Sequence, residues 1–211
     1  LFIFLHYLTI PIAGYTPTEN FAINCGSPGN SLEFGRRWTG DIDSKFSPLE
    51  KGKLSTTSPA AEQPLLLVPY STARLSRNEF TYSFPLTAGQ KYIRLHFYPS
   101  SYGEFNRSKA FFSVKTSGGY TLLSNFSAAL AADLGKENIV KEFCINFHEV
   151  GEKLNITFTP TAGANAYALL TELKLSPCLT ISTTLLQKRK RLGFKLLDNR
   201  IHLMLWKWYT D

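Results

Sequence analysis

The sequence predicts an all-β fold, an antiparallel β-sandwich or jelly roll, and three observations carry that prediction. Phe80, Tyr82 and Phe84 share one face of a first alternating segment, and Ile93, Leu95 and Phe97 share one face of a second. Apolar residues at every second position mark half-buried strands of antiparallel sheets. Short stretches of this kind recur along the chain with turn residues between them. Aromatic residues make up 14% of the 211 positions, mostly Phe and Tyr, which pack better on pleated sheets than on helices.

Taken in order, Leu1–Ile12 is apolar apart from His6 and Thr9 and leads into Ala13-Gly14. At roughly 12 residues it is too short for a bilayer, which needs about 20. Residues 1–14 read as the remnant of a secretory signal peptide, with a buried first strand as the alternative. Residues 15–178 hold the domain. Phe21–Asn24 predicts a short strand and Cys25–Asn30 a loop, while Trp38–Phe46 is mixed, with Trp38 a core anchor and Asp41 a turn or cap residue. Ser47–Pro64, rich in Ser, Thr, Pro and Lys without periodicity, predicts a long surface loop. Strands are expected near Phe80–Phe84, Tyr92–Tyr98, Ala110–Thr116, Ile139–Phe147, Leu154–Thr159 and Tyr167–Leu175. Pro85-Leu-Thr-Ala-Gly89 turns the chain between the first two. Ala128–Lys136 is the one helical turn, and His96 falls on the outward, solvated face of its strand.

The net charge of +7 is unevenly placed. Residues 1–178 hold 16 Lys/Arg against 14 Asp/Glu, whereas residues 179–211 hold 7 against 2. The body is nearly neutral, so net charge gives no support to a nucleic-acid partner. The tail carries Lys188-Arg-Lys-Arg191 and Trp206-Lys-Trp208. It is read either as a nuclear or lipid-binding signal, or as the disordered or artefactual end of a truncated gene model.

Three cysteines, Cys25, Cys144 and Cys178, cannot all pair within one chain, and their spacing fits no zinc signature. Cys144 faces away from the stripe formed by Phe143 and Ile145; a Cys25–Cys144 bridge and buried free thiols both stand as readings. Three sequons, Asn106-Arg-Ser108, Asn125-Phe-Ser127 and Asn155-Ile-Thr157, agree with secretion. Leu154, Ile156 and Phe158 share a face, which places Asn155 on the solvent side, where a hydrated glycan needs it.

Catalytic templates fail. His148-Glu-Val-Gly-Glu152 has Glu where a zinc protease needs its second His. Asp41-Ile-Asp43 begins like a calcium loop, but Phe46 replaces the required Gly and Lys45 opposes a cation. No catalytic residue, metal site or cofactor is expected. For sugar binding, ring faces must stack on pyranose C–H groups beside hydrogen-bonding side chains. Tyr70, Tyr98 and Tyr102 supply rings near strand ends, and Arg74, Ser100, Ser101 and Asn165 supply polar atoms. The alternative reading has Tyr70 and Tyr98 capping the core through their hydroxyls.

The series Val68-Pro-Tyr-Ser-Thr-Ala-Arg74, Phe80–Leu86 and Lys91–Tyr102 resembles the malectin-like domain of plant receptor kinases of the FERONIA, THESEUS and HERKULES type. The likeness continues through Tyr15–Glu19, Ile23–Gly26, Trp38–Phe46, Ala110–Val114, Tyr120–Ala128, Ile139–Phe143, Leu154–Pro160 and Asn165–Ala168, in the family's order, over about residues 15–175. Beyond Leu175 the pattern departs from the family, and Thr171-Glu172-Leu173 stands where the family has an Asn-Gly step. The resemblance implies the first of two tandem malectin-like domains in a receptor ectodomain, secreted or on the extracellular face of the plasma membrane. In animal malectin, loop-tip aromatics bind a glucose disaccharide, and Tyr70 and Tyr102 fall near those positions. The expected function is noncatalytic binding of a cell-wall polysaccharide or oligosaccharide. The alternative is a protein-interaction ectodomain that helps recognise a secreted peptide with a membrane-anchored co-receptor.

Overall fold

Phe80, Tyr82 and Phe84, and Ile93, Leu95 and Phe97, are all fully buried, as their alternation requires, yet the two strands that carry them never pair with each other. The computed structural model describes residues 19–33, 35–50, 56–59, 70–132, 138–148, 153–163 and 165–178. The expectations for residues 1–14 and 179–211 lie outside them.

The strands are β1 (Phe21–Asn24), β2 (Ser31–Glu33), β3 (Arg36–Gly40), β4 (Leu49–Glu50), β5 (Thr56–Pro59), β6 (Thr72–Ser76), β7 (Phe80–Pro85) and β8 (Gly89–Phe97). They continue as β9 (Phe112–Thr116), β10 (Thr121–Phe126), β11 (Ile139–Phe147), β12 (Lys153–Pro160), β13 (Ala168–Leu170) and β14 (Glu172–Pro177). Six form one sheet in the order β11-β8-β14-β1-β3-β2, and five form the other, β10-β9-β12-β7-β4. A three-stranded sheet, β13-β6-β5, completes the fold. The named strands pair antiparallel as expected, with one exception, the short parallel pairing of β1 with β3.

Register shows how the core closes. Phe80 lies opposite Phe158, Tyr82 opposite Ile156 and Phe84 opposite Leu154, all buried. In the facing sheet Ile93 lies opposite Leu175 and Leu95 opposite Leu173. The Phe80 and Phe158 rings stack at 4.9 Å, and Phe97, Phe112 and Phe126 form a second aromatic knot. Each such side chain contributes about 1.5–3 kcal/mol on burial.

Two of the following expectations are corrected, the loop and the single strand, and the other two are sharpened. The loop expected over Ser47–Pro64 contains β4 and β5, and the mixed segment Trp38–Phe46 opens within β3, with Trp38 buried as a core anchor. The single strand expected over Tyr167–Leu175 divides at Thr171: β13 joins the small sheet and β14 the large one. Thr171 holds the step by donating both its N–H (3.2 Å) and its hydroxyl (2.6 Å) to the His96 carbonyl. The helical turn is Ala128–Ala132, and residues 133–136 of its expected span lie outside the described set.

The cysteine readings divide: the Cys25–Cys144 bridge is corrected, and the buried free thiol holds for Cys25. Cys144 is bridged to Cys178, and Cys25 is buried and free. The face on which each thiol lies decides this. Cys144 is exposed on the outside of β11, whereas Cys25 sits in the core with its N–H bonded to the Thr171 carbonyl at 2.9 Å. Cys178 continues the line of β14 by donating to the Gln90 carbonyl, so its thiol meets Cys144 across β8.

Candidate functional site

The loop end that the sequence singles out is assembled, but its rings are turned inward. Tyr70 precedes β6 and is only 3% exposed. Its ring lies 6.0 Å from that of Tyr98 and 6.0 Å from that of His96, and its hydroxyl is 2.9 Å from His96 Nδ1. Tyr102 is 0% exposed and donates its hydroxyl to the Tyr98 carbonyl at 2.8 Å. A tight turn fixes it there: the Tyr102 N–H donates to the Phe105 carbonyl, the Phe105 N–H donates back, and Gly103 takes the left-handed backbone (φ 55°) that glycine tolerates. Burial pushes the Tyr70 and Tyr102 phenols well above their ordinary value. Three of the expected residues are thus brought together: Tyr70, Tyr98 and Tyr102. Neither Tyr70 nor Tyr102 offers a face to a ligand in this arrangement, and Tyr98 is half-buried.

The remaining polar candidates disperse. Ser100 is half-buried and its hydroxyl donates to the Ser101 carbonyl, while Asn165 stands in an exposed turn with left-handed backbone (φ 65°). Arg74 is buried. Its Nε and a terminal nitrogen reach the two Asp41 oxygens at 3.0 and 2.8 Å, and Glu50 stands 3.7 Å away. Asp41 also accepts from the Gly26 N–H at 2.7 Å and from the Tyr82 hydroxyl. Gly26 must be glycine: its φ is +82°, and a Cβ there would meet the Ala73 carbonyl oxygen at 2.5 Å. Burial alone would lower the Arg74 guanidinium; the hydrogen bonds to Asp41 outweigh it and the net direction is upward. Arg74 therefore ties β6 to the loop after β3, and Asp41 is the hub of a buried network instead of a simple turn residue. Nothing local in the sequence reports that partnership, because the two residues lie 33 positions apart.

His96 is corrected as well. It is 3% exposed, because Tyr70 folds over the outer face of β8, and burial followed by repulsion from Lys174, Arg94 and Arg36 drives its pKa well down. Its register partner across β14 is Glu172, 0% exposed, with no hydrogen bond to either carboxylate oxygen. Burial raises that acid well above 4.5. The His96 Nε2 is also unpartnered.

The three sequon asparagines lie at different depths. Asn106 is exposed, and its side-chain oxygen accepts from the N–H and hydroxyl of Ser108. Asn125 is exposed on the outer strand β10 with a left-handed backbone (φ 45°). Asn155 is half-buried and accepts from the Ser83 hydroxyl at 2.7 Å.

A second feature was not expected from the sequence. A cavity of about 610 Å3 opens where β1 and β3 diverge, lined by Phe21, Ile23, Arg36, Arg37, Lys45 and Phe46 among others. The signal that could have found it, a pair of arginines beside a glycine turn, is too common to single out. Among the described residues no group of His, Cys, Asp and Glu could hold a metal ion, and no helix is long and apolar enough to cross a membrane.

Comparison with known proteins agrees with this fold. The family model for the malectin-like domain matches residues 23–200, running past Leu175, where the sequence pattern departs from the family. The chain is 43% identical over 173 residues to the receptor-like protein kinase FERONIA of Arabidopsis thaliana, covering 79% of this chain and 19% of that protein. It is 33% identical over 155 residues to HERK 1 of the same plant, covering 73% and 17%. The chain spans about a fifth of the length of these relatives. Among solved structures, the plant receptor-like kinase FER superposes with a TM-score of 0.69 at 41% identity, covering 78% of this chain and 43% of that one. The extracellular domain of ANXUR2 from Arabidopsis thaliana gives 0.68 at 32%, covering 76% and 41%. FER in complex with the peptide RALF23 and with LLG2 gives 0.65 at 41%, covering 78% and 41%. The chain belongs to the malectin-like family, and its matches lie in the ectodomains of FERONIA-type receptor kinases.

Proposed function

We propose that this domain is a noncatalytic, extracellular recognition module that helps a receptor ectodomain engage a secreted peptide together with its co-receptor. One observation carries the reading: the rings that would stack on a sugar, Tyr70 and Tyr102, are packed inside the fold, and the candidate cation, Arg74, is paired elsewhere with Asp41. What remains at that end is a rigid, hydrogen-bonded surface, which suits a protein partner better than a pyranose. The solved FER complex with RALF23 and LLG2 supports the same direction. Exposure favours glycans at Asn106 and Asn125 over Asn155, whose side chain is already engaged by Ser83.

The test uses the full chain secreted in glycosylated form. Binding to a RALF-type peptide with an LLG-type co-receptor is measured beside binding to glucan and polygalacturonate oligosaccharides. Saturable binding to the peptide pair is expected. Oligosaccharide binding without any affinity for the pair would overturn this reading in favour of a carbohydrate-binding domain.

A further inference from the structure

The parallel pairing of β1 with β3 covers only Ile23–Thr39 and Asn24–Gly40. Before it the strands splay, and Phe21 and Ala22, bonded to β14 on one side, have no strand partner on the other among the described residues. The 610 Å3 cavity occupies that splay. Among the described residues three cations line it, Arg36, Arg37 and Lys45, and no carboxylate does. None of the three forms an ion pair among the described residues, even though Glu33 is the register partner of Arg36.

Positive charge is also crowded just behind the cavity. The Lys174 ammonium is pushed down to about 8 by burial and by Arg36 and Arg94, and Arg36 is itself lowered by burial and by Arg94. A bound anion would relieve that repulsion. Guanidinium forks grip carboxylates in two-point contacts, and unpartnered strand edges accept an extended main chain.

We propose that this cavity receives an extended acidic segment of a protein partner, with its carboxylates on Arg36, Arg37 and Lys45 and its main chain between β1 and β3. A polyuronate fits less well, because the two rings that line the cavity among the described residues, Phe21 and Phe46, pack against each other. Phe46 is enclosed by Phe21 at 5.6 Å, Phe84 at 5.9 Å and the Lys45 ammonium at 5.1 Å. The assignment rests on the protein-recognition reading above and names the chemistry of one partner surface.

The full chain is titrated with a fluorescein-labelled 12-residue peptide of consecutive glutamates, whose side chains reach both faces of an extended main chain, and separately with polygalacturonate fragments. Peptide binding should weaken as salt rises. It should fall at least about tenfold in Arg37→Glu/Lys45→Glu, in line with the loss of close charge pairs. Arg37→Gln alone, which removes one charge without reversing it, should fall by less, and thermal melts of both variants establish that they are folded. Peptide binding unchanged in both variants, no peptide binding at all, or polygalacturonate binding alone each overturns the proposal. If the peptide–co-receptor pair of the preceding test still binds in any of those cases, the cavity assignment fails while the proposed function stands.

Discussion

Asp41 and Glu172 are carboxylates buried to the same depth, and their surroundings could hardly differ more. Asp41 receives a guanidinium through two contacts, a backbone N–H and a phenol. Glu172 lies beside His96 and has no hydrogen bond to either oxygen. A buried anion is stable only when charge and hydrogen bonds replace the water it lost. Asp41 has such replacement from three segments of the chain, so it locks loop to sheet. Glu172 has only the more distant pull of Lys174 and Arg36, so burial dominates and favours its protonated form. The contrast separates a carboxylate whose every approach is hydrogen-bonded from one whose charge state follows the solution.

The largest expected effect lies on the satisfied side. Asp41→Ala removes the two-point partner of the Arg74 guanidinium and should cost about 3–5 kcal/mol in denaturant unfolding. A loss under about 1 kcal/mol, the worth of an exposed ion pair, would show that Glu50 can take over. Gly26→Ala attacks the same hub through the backbone and should destabilise by about 2 kcal/mol or more, since a side chain there is strained and collides with the Ala73 carbonyl. A melting temperature equal to wild type would refute the cradle.

Glu172 predicts the opposite sign. An acid whose folded pKa lies above its unfolded value adds stability in acid, fully so below about 4.5, and that contribution disappears as pH rises through the folded pKa. The Glu172 contribution should therefore decline as pH is raised above about 4.5, toward and through the raised folded pKa. Glu172→Gln should remove that slope and gain about 1–3 kcal/mol at the alkaline end. Parallel stability–pH curves for the two proteins would sink the assignment. The smallest effect is that of Tyr70→Phe, which leaves His96 Nδ1 without its phenol and should cost about 1 kcal/mol in denaturant unfolding. His96 acts in the reverse sense to Glu172: its lowered pKa makes stability fall as pH drops below 6.5.

What the sequence can and cannot report follows from the range of each interaction. The strands β7, β8, β11 and β12 are legible because one face of each meets the core and the other meets solvent or polar neighbours. Strand β6 escapes notice because four of its five residues are buried, which leaves no alternation to read. Alternation puts His96 on the correct face of β8, but it cannot show that Tyr70, 26 residues earlier, lies across that face. The pairing of Cys144 with Cys178 needs the order β11-β8-β14, which no local pattern contains. The inward packing of Tyr70 and Tyr102 escapes the sequence for a related reason. Ring-bearing residues near strand ends look alike whether they point out to a ligand or in to a neighbouring loop.

The short link from β7 to β8 carries the chain from one sheet to the other, and this has a consequence for how the molecule is made. The two most regular strands of the domain cannot form a hairpin nucleus together. Strand β7 must wait for β12, whose Phe158 pairs with Phe80, and β8 must wait for β11 and β14, where Leu175 pairs with Ile93. Contacts so distant along the chain slow folding. During synthesis these strands therefore emerge with their apolar faces uncovered, and they close only after Leu175 has left the ribosome. Assembly of the core is thus timed by its last strand, and chaperone protection matters most before that strand arrives.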